Sequence, residues 1–199
     1  MSNDHSSLTK SDLIDQGFSG FTTICELQRN IPRSEELSLQ GIYAVVCSPT
    51  YKPSFIDPDK VRRSRRVIMP WSLEKLKRKW VPGVEVLYLG KASGSGAEKH
   101  TLRKRLTELV RHSMGKTTSQ GPHKGGELLW QLKGYNNFEV GFLPTDQPEK
   151  EEERLIGLFL SKTGKLPFAN RIPLSRYIDF NSGEGKTIPL ALAHRRSPH

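Results

Sequence analysis

Apolar and polar positions along the chain follow two periods, and the switches between them mark out the elements. Residues 42–47, Ile-Tyr-Ala-Val-Val-Cys, form a β-branched and aromatic run with no charged position, as expected of a buried strand. Residues 84–90, Val-Glu-Val-Leu-Tyr-Leu-Gly, have period-2 character and predict a second strand; 138–143, Phe-Glu-Val-Gly-Phe-Leu, predict a third. Helical spacing takes over at 102–114, where Leu102, Leu106, Leu109 and Val110 form one stripe amid Arg103, Lys104, Arg105, Glu108 and Arg111, with Gly115 placed to end it. A further helix is predicted over 149–162. Its acidic first turn (Glu149, Glu151, Glu152, Glu153) suits the positive end of the helix dipole, its stripe is Leu155, Ile156, Leu158, Phe159 and Leu160, and Gly164 stops it.

The flanking segments are less regular. Residues 1–10 read as a polar leader, Ser11 can cap a short helix through Asp12, Leu13 and Ile14, and residues 22–27 fit strand or helix equally. Residues 1–39 are therefore expected to form an extension packed on the core, and 175–199 a tail. Between them, 40–174 form one domain with an insertion at 48–83. Prolines 49, 53, 58, 70 and 82 keep that insertion from being one long element. Within it, 72–80 has helical spacing behind a Ser72 cap. The order of strand, insertion, strand, helix, strand, helix predicts an α/β fold with a small, central, mainly antiparallel three-stranded sheet flanked by helices.

Composition adds the partner class. The 199 residues suit one decorated domain, and 31 Lys+Arg against 21 Asp+Glu give a net charge of +10. Such a surface draws polyanions: nucleic acid before an anionic membrane, because the basic residues do not lie on one long amphipathic helix. They gather at 60–66 (Lys-Val-Arg-Arg-Ser-Arg-Arg) and 75–79 (Lys-Leu-Lys-Arg-Lys) of the insertion. No apolar run approaches membrane-spanning length and no signal core opens the chain. Cys25 and Cys47 sit in apolar contexts, too isolated for a disulfide framework or zinc site, and read as buried thiols of a reducing compartment. The expected location is cytoplasmic and nucleic-acid-associated.

The chemistry enters through five landmarks. Gly41-Ile42-Tyr43, Tyr88-Leu89-Gly90-Lys91, Leu102-Arg103-Lys104-Arg105, Glu152 ahead of Leu155 and Ile156, and Pro167-Phe168-Ala169-Asn170 stand in that order. Together they resemble the signature of the GIY-YIG nuclease superfamily over residues 41–170, roughly two-thirds of the chain. The resemblance implies an endonuclease that hydrolyses phosphodiester bonds. Glu152 would be the metal ligand for Mg²⁺ or Mn²⁺, Arg105 would grip the scissile phosphate, and Tyr43 would orient or deprotonate the attacking water. Tyr88 would position the water or phosphate, and Lys91 would lower the pKa of a neighbouring phenol by its charge.

This chain departs from the family pattern in two places. The two tyrosines are 45 positions apart rather than joined by a short hairpin, so the insertion is expected to loop out of that hairpin. Many relatives carry Tyr or His one turn after the arginine, where this chain has Leu109. His112, two turns from Arg105, and His123 are the substitute bases to consider.

Each residue also has a plainer reading. The tyrosines would serve as core aromatics, Arg105 as a solvated charge, Glu152 as a partner of the helix dipole and Asn170 as a loop-former. Arg62, Arg63, Arg65, Arg66, Lys77, Arg103 and Asn170 are candidate nucleic-acid contacts. The function expected is a DNA endonuclease of restriction-like, defence or mobile-element kind, with RNA left open as substrate and a homodimer allowed. The alternatives are an inactive nucleic-acid-binding domain of the same fold, or a structure-specific repair nuclease.

Overall fold

The computed structural model describes residues 8–58, 70–94, 100–113 and 125–171. The core is an antiparallel sheet, and it has four strands rather than the three expected. Ser19–Thr23 (β1), Gly41–Val46 (β2), Val86–Ala92 (β3) and Glu139–Pro144 (β4) lie in the order β1-β4-β2-β3. The added strand comes from the N-terminal extension and pairs with β4 through a bulge. Residues 22–27 fitted both periods because they straddle a junction. Thr23 ends β1 and at once caps the helix Ile24–Arg29 (α2), in a capping box with Glu26. The first helix, Lys10–Asp15 (α1), is capped in the same way by Thr9 with Asp12, so Ser11 is not its cap.

Strand β2 lies between two partners, and all six of its residues are buried. Alternation divides them between two cores. Ile42, Ala44 and Val46 pack with Leu13 of α1 and with Leu155, Ile156 and Phe159 of Pro148–Thr163 (α6). Tyr43, Val45 and Cys47 pack with α2 and with Leu102, Leu106, Leu109 and Val110 of Leu102–Ser113 (α4). Gly126–Leu129 (α5) closes this second side. Gly164, at φ 69°, ends α6 as predicted. Among the described residues no helix is long and apolar enough to cross a membrane.

The described parts of the insertion fold inward and do not loop out. Ile56 donates to the Gln131 carbonyl at 2.7 Å, Lys133 to that of Ser54 at 2.7 Å, and the Tyr51 hydroxyl to that of Lys133 at 2.9 Å. Tyr51, Phe55 and Trp80 pack edge-on or tilted against one another, Phe138 and Phe168. Burial of this aromatic surface, a favourable term of about 25 cal/mol per Å², holds the segment down. The helix Leu73–Lys79 (α3) starts at Ser72, whose side chain accepts from the Lys75 amide.

Candidate active site

Register brings the two tyrosines together. Tyr43 lies opposite Gly90 and Val45 opposite Tyr88, so the phenols meet on a diagonal across β2 and β3. Their ring centroids are 5.8 Å apart at 53°. That packing requires glycine at two points. A Cβ on Gly90 would come within 2.6 Å of the Tyr88 ring and 2.8 Å of that of Tyr43, and one on Gly125 within 2.4 Å of Tyr88. Gly90 is thus the residue that lets the phenols face each other.

Arg105 approaches from α4. Its guanidinium and the Tyr88 hydroxyl both act on the Tyr43 phenol. Burial raises the pKa of both phenols, but not equally. For Tyr43, the charge of Arg105 and the hydrogen bonds from Tyr88 and Arg105 pull back toward ionisation, while Glu152 opposes it. Tyr88 is held well above the ordinary value by burial, by Tyr43 and by its role as donor in their shared bond. Tyr43 is therefore the phenol closer to ionisation. On Arg105 itself, burial works against the charge, but Tyr43, Glu108 and Tyr88 outweigh it and raise the pKa above its usual value.

Of the acidic run on α6, Glu152 is buried, whereas Glu151 pairs with Arg154 and Glu153 is exposed. The Glu152 carboxylate meets the Lys91 ammonium at 3.2 Å, with Glu149 at 3.9 Å on the same cation. Lys91 lies beside Ile42, on the α6 side of the sheet, and its charge is spent on carboxylates rather than on the phenols. The cation that acts on the phenols is Arg105, which corrects the role expected of Lys91.

Other expected residues have structural work. The Asn170 side chain donates to the Leu89 carbonyl at 2.8 Å and accepts from the Leu89 amide at 3.0 Å, clamping the outer edge of β3. It is buried, so of its two readings the loop-forming one describes its place, and the nucleic-acid contact is corrected. Arg103 donates to the carbonyls of Ile31 and Pro32 and ties α4 to the extension instead of reaching outward. His112 is buried, with its Cβ facing Gly126, and Leu109 is fully buried in the core. Lys77 is exposed on α3. His123, Arg62, Arg63, Arg65 and Arg66 lie outside the described residues. Cys47 is buried, but Cys25 is only half-buried.

Sequence reasoning missed Glu108. It is a nearly buried carboxylate one turn from Arg105, with Arg105 Nη1 at 2.5 Å and His100 Nδ1 at 4.0 Å. Its spacing of three from Arg105 was the available signal, but on a basic helix such a pair reads as a surface ion pair. Here it fixes the direction of a guanidinium that also reaches Tyr43.

Among the described residues no three His, Cys, Asp or Glu side chains form a metal cage. A hard divalent cation that keeps its waters needs only one carboxylate plus substrate oxygens, and Glu152 can supply that one. The assembly thus holds two coupled phenols, a guanidinium fixed by Glu108 and the buried carboxylate of Glu152. Comparison of this chain with protein-family models, curated proteins and solved structures found no match.

Proposed function

We propose that this chain is a metal-dependent endonuclease that hydrolyses phosphodiester bonds of DNA at the Tyr43, Tyr88, Arg105 and Glu152 cluster. One observation carries the reading. The Tyr43 and Tyr88 rings pack 5.8 Å apart across β2 and β3, and Arg105 of α4 and the buried Glu152 of α6 act electrostatically on both, all four being of types suited to phosphoryl chemistry. Core aromatics alone would need no guanidinium and no buried carboxylate beside them, since each burial costs several kcal/mol unless compensated.

The residues divide the work. Arg105, aimed by Glu108, presents N–H donors where negative charge gathers on the phosphoryl oxygens. Tyr43 orients the attacking water through its hydroxyl and, once ionised with its own proton released to solvent, takes the water's proton; the Tyr88 hydroxyl and Arg105 stabilise that phenolate against the burial that disfavours it. Glu152 would hold Mg²⁺ or Mn²⁺, which when bound supplies Lewis-acid charge for the phosphate and the leaving alkoxide. Lys91, now on Glu152, holds that carboxylate in position.

The test is supercoiled plasmid incubated with the full chain, with Mg²⁺, Mn²⁺ or EDTA, and the products end-sequenced. Nicked or linear DNA is expected with metal and none in EDTA. Glu152→Gln is expected to be inactive with its fold kept, and Glu151→Gln active. Full cleavage in EDTA, or activity that survives Glu152→Gln, overturns the metal assignment.

A further inference from the structure

A group of cations beside the site has no part in the chemistry above. Trp71 is fixed by its backbone: its amide donates to Gln131 Oε1 at 3.0 Å, and its carbonyl accepts from Gln131 Nε2 at 3.0 Å. Gln131 is fully buried, so this clamp is rigid. Two cations lie against the indole, Lys79 Nζ at 5.8 Å and Arg171 Cζ at 5.3 Å from the ring centroid.

Both cations are tied to the Tyr88 side of the active site. Lys79 donates to the Asn170 carbonyl at 2.8 Å, and Asn170 is bonded to Leu89, the neighbour of Tyr88. Arg171 forms an ion pair with Glu127, two positions from the Gly125 that faces the Tyr88 ring.

The charges do not balance locally. Glu127 answers Arg171, but Lys79 bonds only a neutral carbonyl, and among the described residues no carboxylate pairs with it. Burial and the neighbouring Arg171 both push the Lys79 pKa down, as happens when a second cation stands where an anion is wanted. Lys75, exposed one turn earlier on α3, extends the same sign of charge, and Glu74 is the acidic residue in that first turn. An internal role would have been met more cheaply by an uncharged donor at 79.

We propose that Lys79 and Arg171, held on Trp71, form a phosphate-binding station for the DNA backbone next to the cleaved bond. This rests on the nuclease reading of the Tyr88 site. The station takes a phosphodiester of any sequence, because it offers charge and N–H donors but no base-reading edge. Arg171 keeps one side of its fork on Glu127 and turns the remaining donors to the phosphate, while Lys79 acts as a point charge.

The test is affinity of the full chain in EDTA for short duplex DNAs of several sequences, measured against salt concentration. Lys79→Gln and Arg171→Gln are each expected to weaken binding to every duplex alike. Each is also expected to flatten the slope of log affinity against log salt by about 0.9, and the double variant by about 1.8. Arg171→Lys is expected to restore the slope. Arg171→Gln leaves the Asn170 clamp untouched, so it carries the test if Lys79→Gln does not fold. Unchanged slopes in folded variants, with DNA still bound, overturn the station and leave the nuclease reading standing. If the wild-type chain binds none of the duplexes, both fall.

Discussion

The two sides of the sheet are built on different terms. Toward α1 and α6, β2 and β3 present Ile42, Ala44, Val46, Val86 and Leu89 to leucine, isoleucine and phenylalanine side chains. Toward α2, α4 and α5, the same strands present Tyr43 and Tyr88, and the helices answer with Arg105, Glu108, His112 and Glu127. Apart from the Lys91–Glu152 ion pair at its edge, the first side is what stability asks of a sheet. The second contains groups that burial penalises, which persist only where their partners are in place. The difference separates packing that holds this fold together from polar groups that stability alone does not call for.

The comparison is sharpened most by one substitution on each side. Phe159→Ala, in the apolar core, is expected to cost about 3–5 kcal/mol of stability. Residual activity should then scale with the folded fraction, as read by denaturant unfolding beside a cleavage assay. Arg105→Ala is expected to keep a cooperative transition but slow cleavage by about 10²–10³, the usual effect of removing one preorganised charge contact. Arg105→Lys, which keeps the charge and loses the fork, should recover little of that rate. If Arg105→Ala loses stability and activity in step, the two sides do not differ in kind.

A smaller effect is expected at Glu108. Glu108→Gln keeps the shape but removes the charge that aims Arg105, and losing a charged hydrogen bond costs about 1.5–3 kcal/mol. The loss should fall on the maximal rate more than on DNA affinity, because Arg105 acts in the chemical step. An equal loss in affinity would make Glu108 part of the binding surface.

The last effect concerns pH and leaves activity at neutral pH untouched. The Cys47 thiol is pushed by burial from 9.0 up to about 12, so above 9 the unfolded chain gives up its proton before the folded one does. The folded state then binds more protons. Stability is full below about 9 and falls as pH rises toward about 12. Tyr43 and Tyr88, also raised by burial, act in the same direction. Urea midpoints between pH 8 and 11 (range set by about these pKa values) should decline, and Cys47→Val should make the decline shallower. A flat profile would mean that these groups are more hydrated than the packing implies.

Much of this could be read from the sequence, for identifiable reasons. β2, β3, α4 and α6 carry unmixed periodic runs, and the candidate Tyr, Tyr, Arg and Glu positions fall on them, so these elements were legible together with the candidates they carry. β1 was not: Ser-Gly-Phe-Thr-Thr is short and holds a positive-φ glycine, and its partner β4 lies more than 100 residues away. The inward fold of the insertion was hidden because Gln131, a lone polar residue in the sequence, gives no sign that its amide will clamp the Trp71 backbone. The surroundings of Lys91 and Arg103 were hidden for a related reason. Charge and motif position say that a cation is present, but side-chain direction in a strand, or a nearby loop carbonyl, decides where it points.

The central claim is that Tyr43, Tyr88, Arg105 and Glu152 form an active site centred on Tyr43. The most direct test is Tyr43→Phe, which removes one hydroxyl and leaves the ring packed against Tyr88. Single-turnover cleavage with Mg²⁺ and DNA affinity in EDTA are measured on the same preparation. The account predicts a rate lower by orders of magnitude, roughly 10²–10⁴ for loss of a general base, with affinity close to wild type. Cleavage at the wild-type rate would contradict it, making Tyr43 a core aromatic and placing the proton acceptor elsewhere.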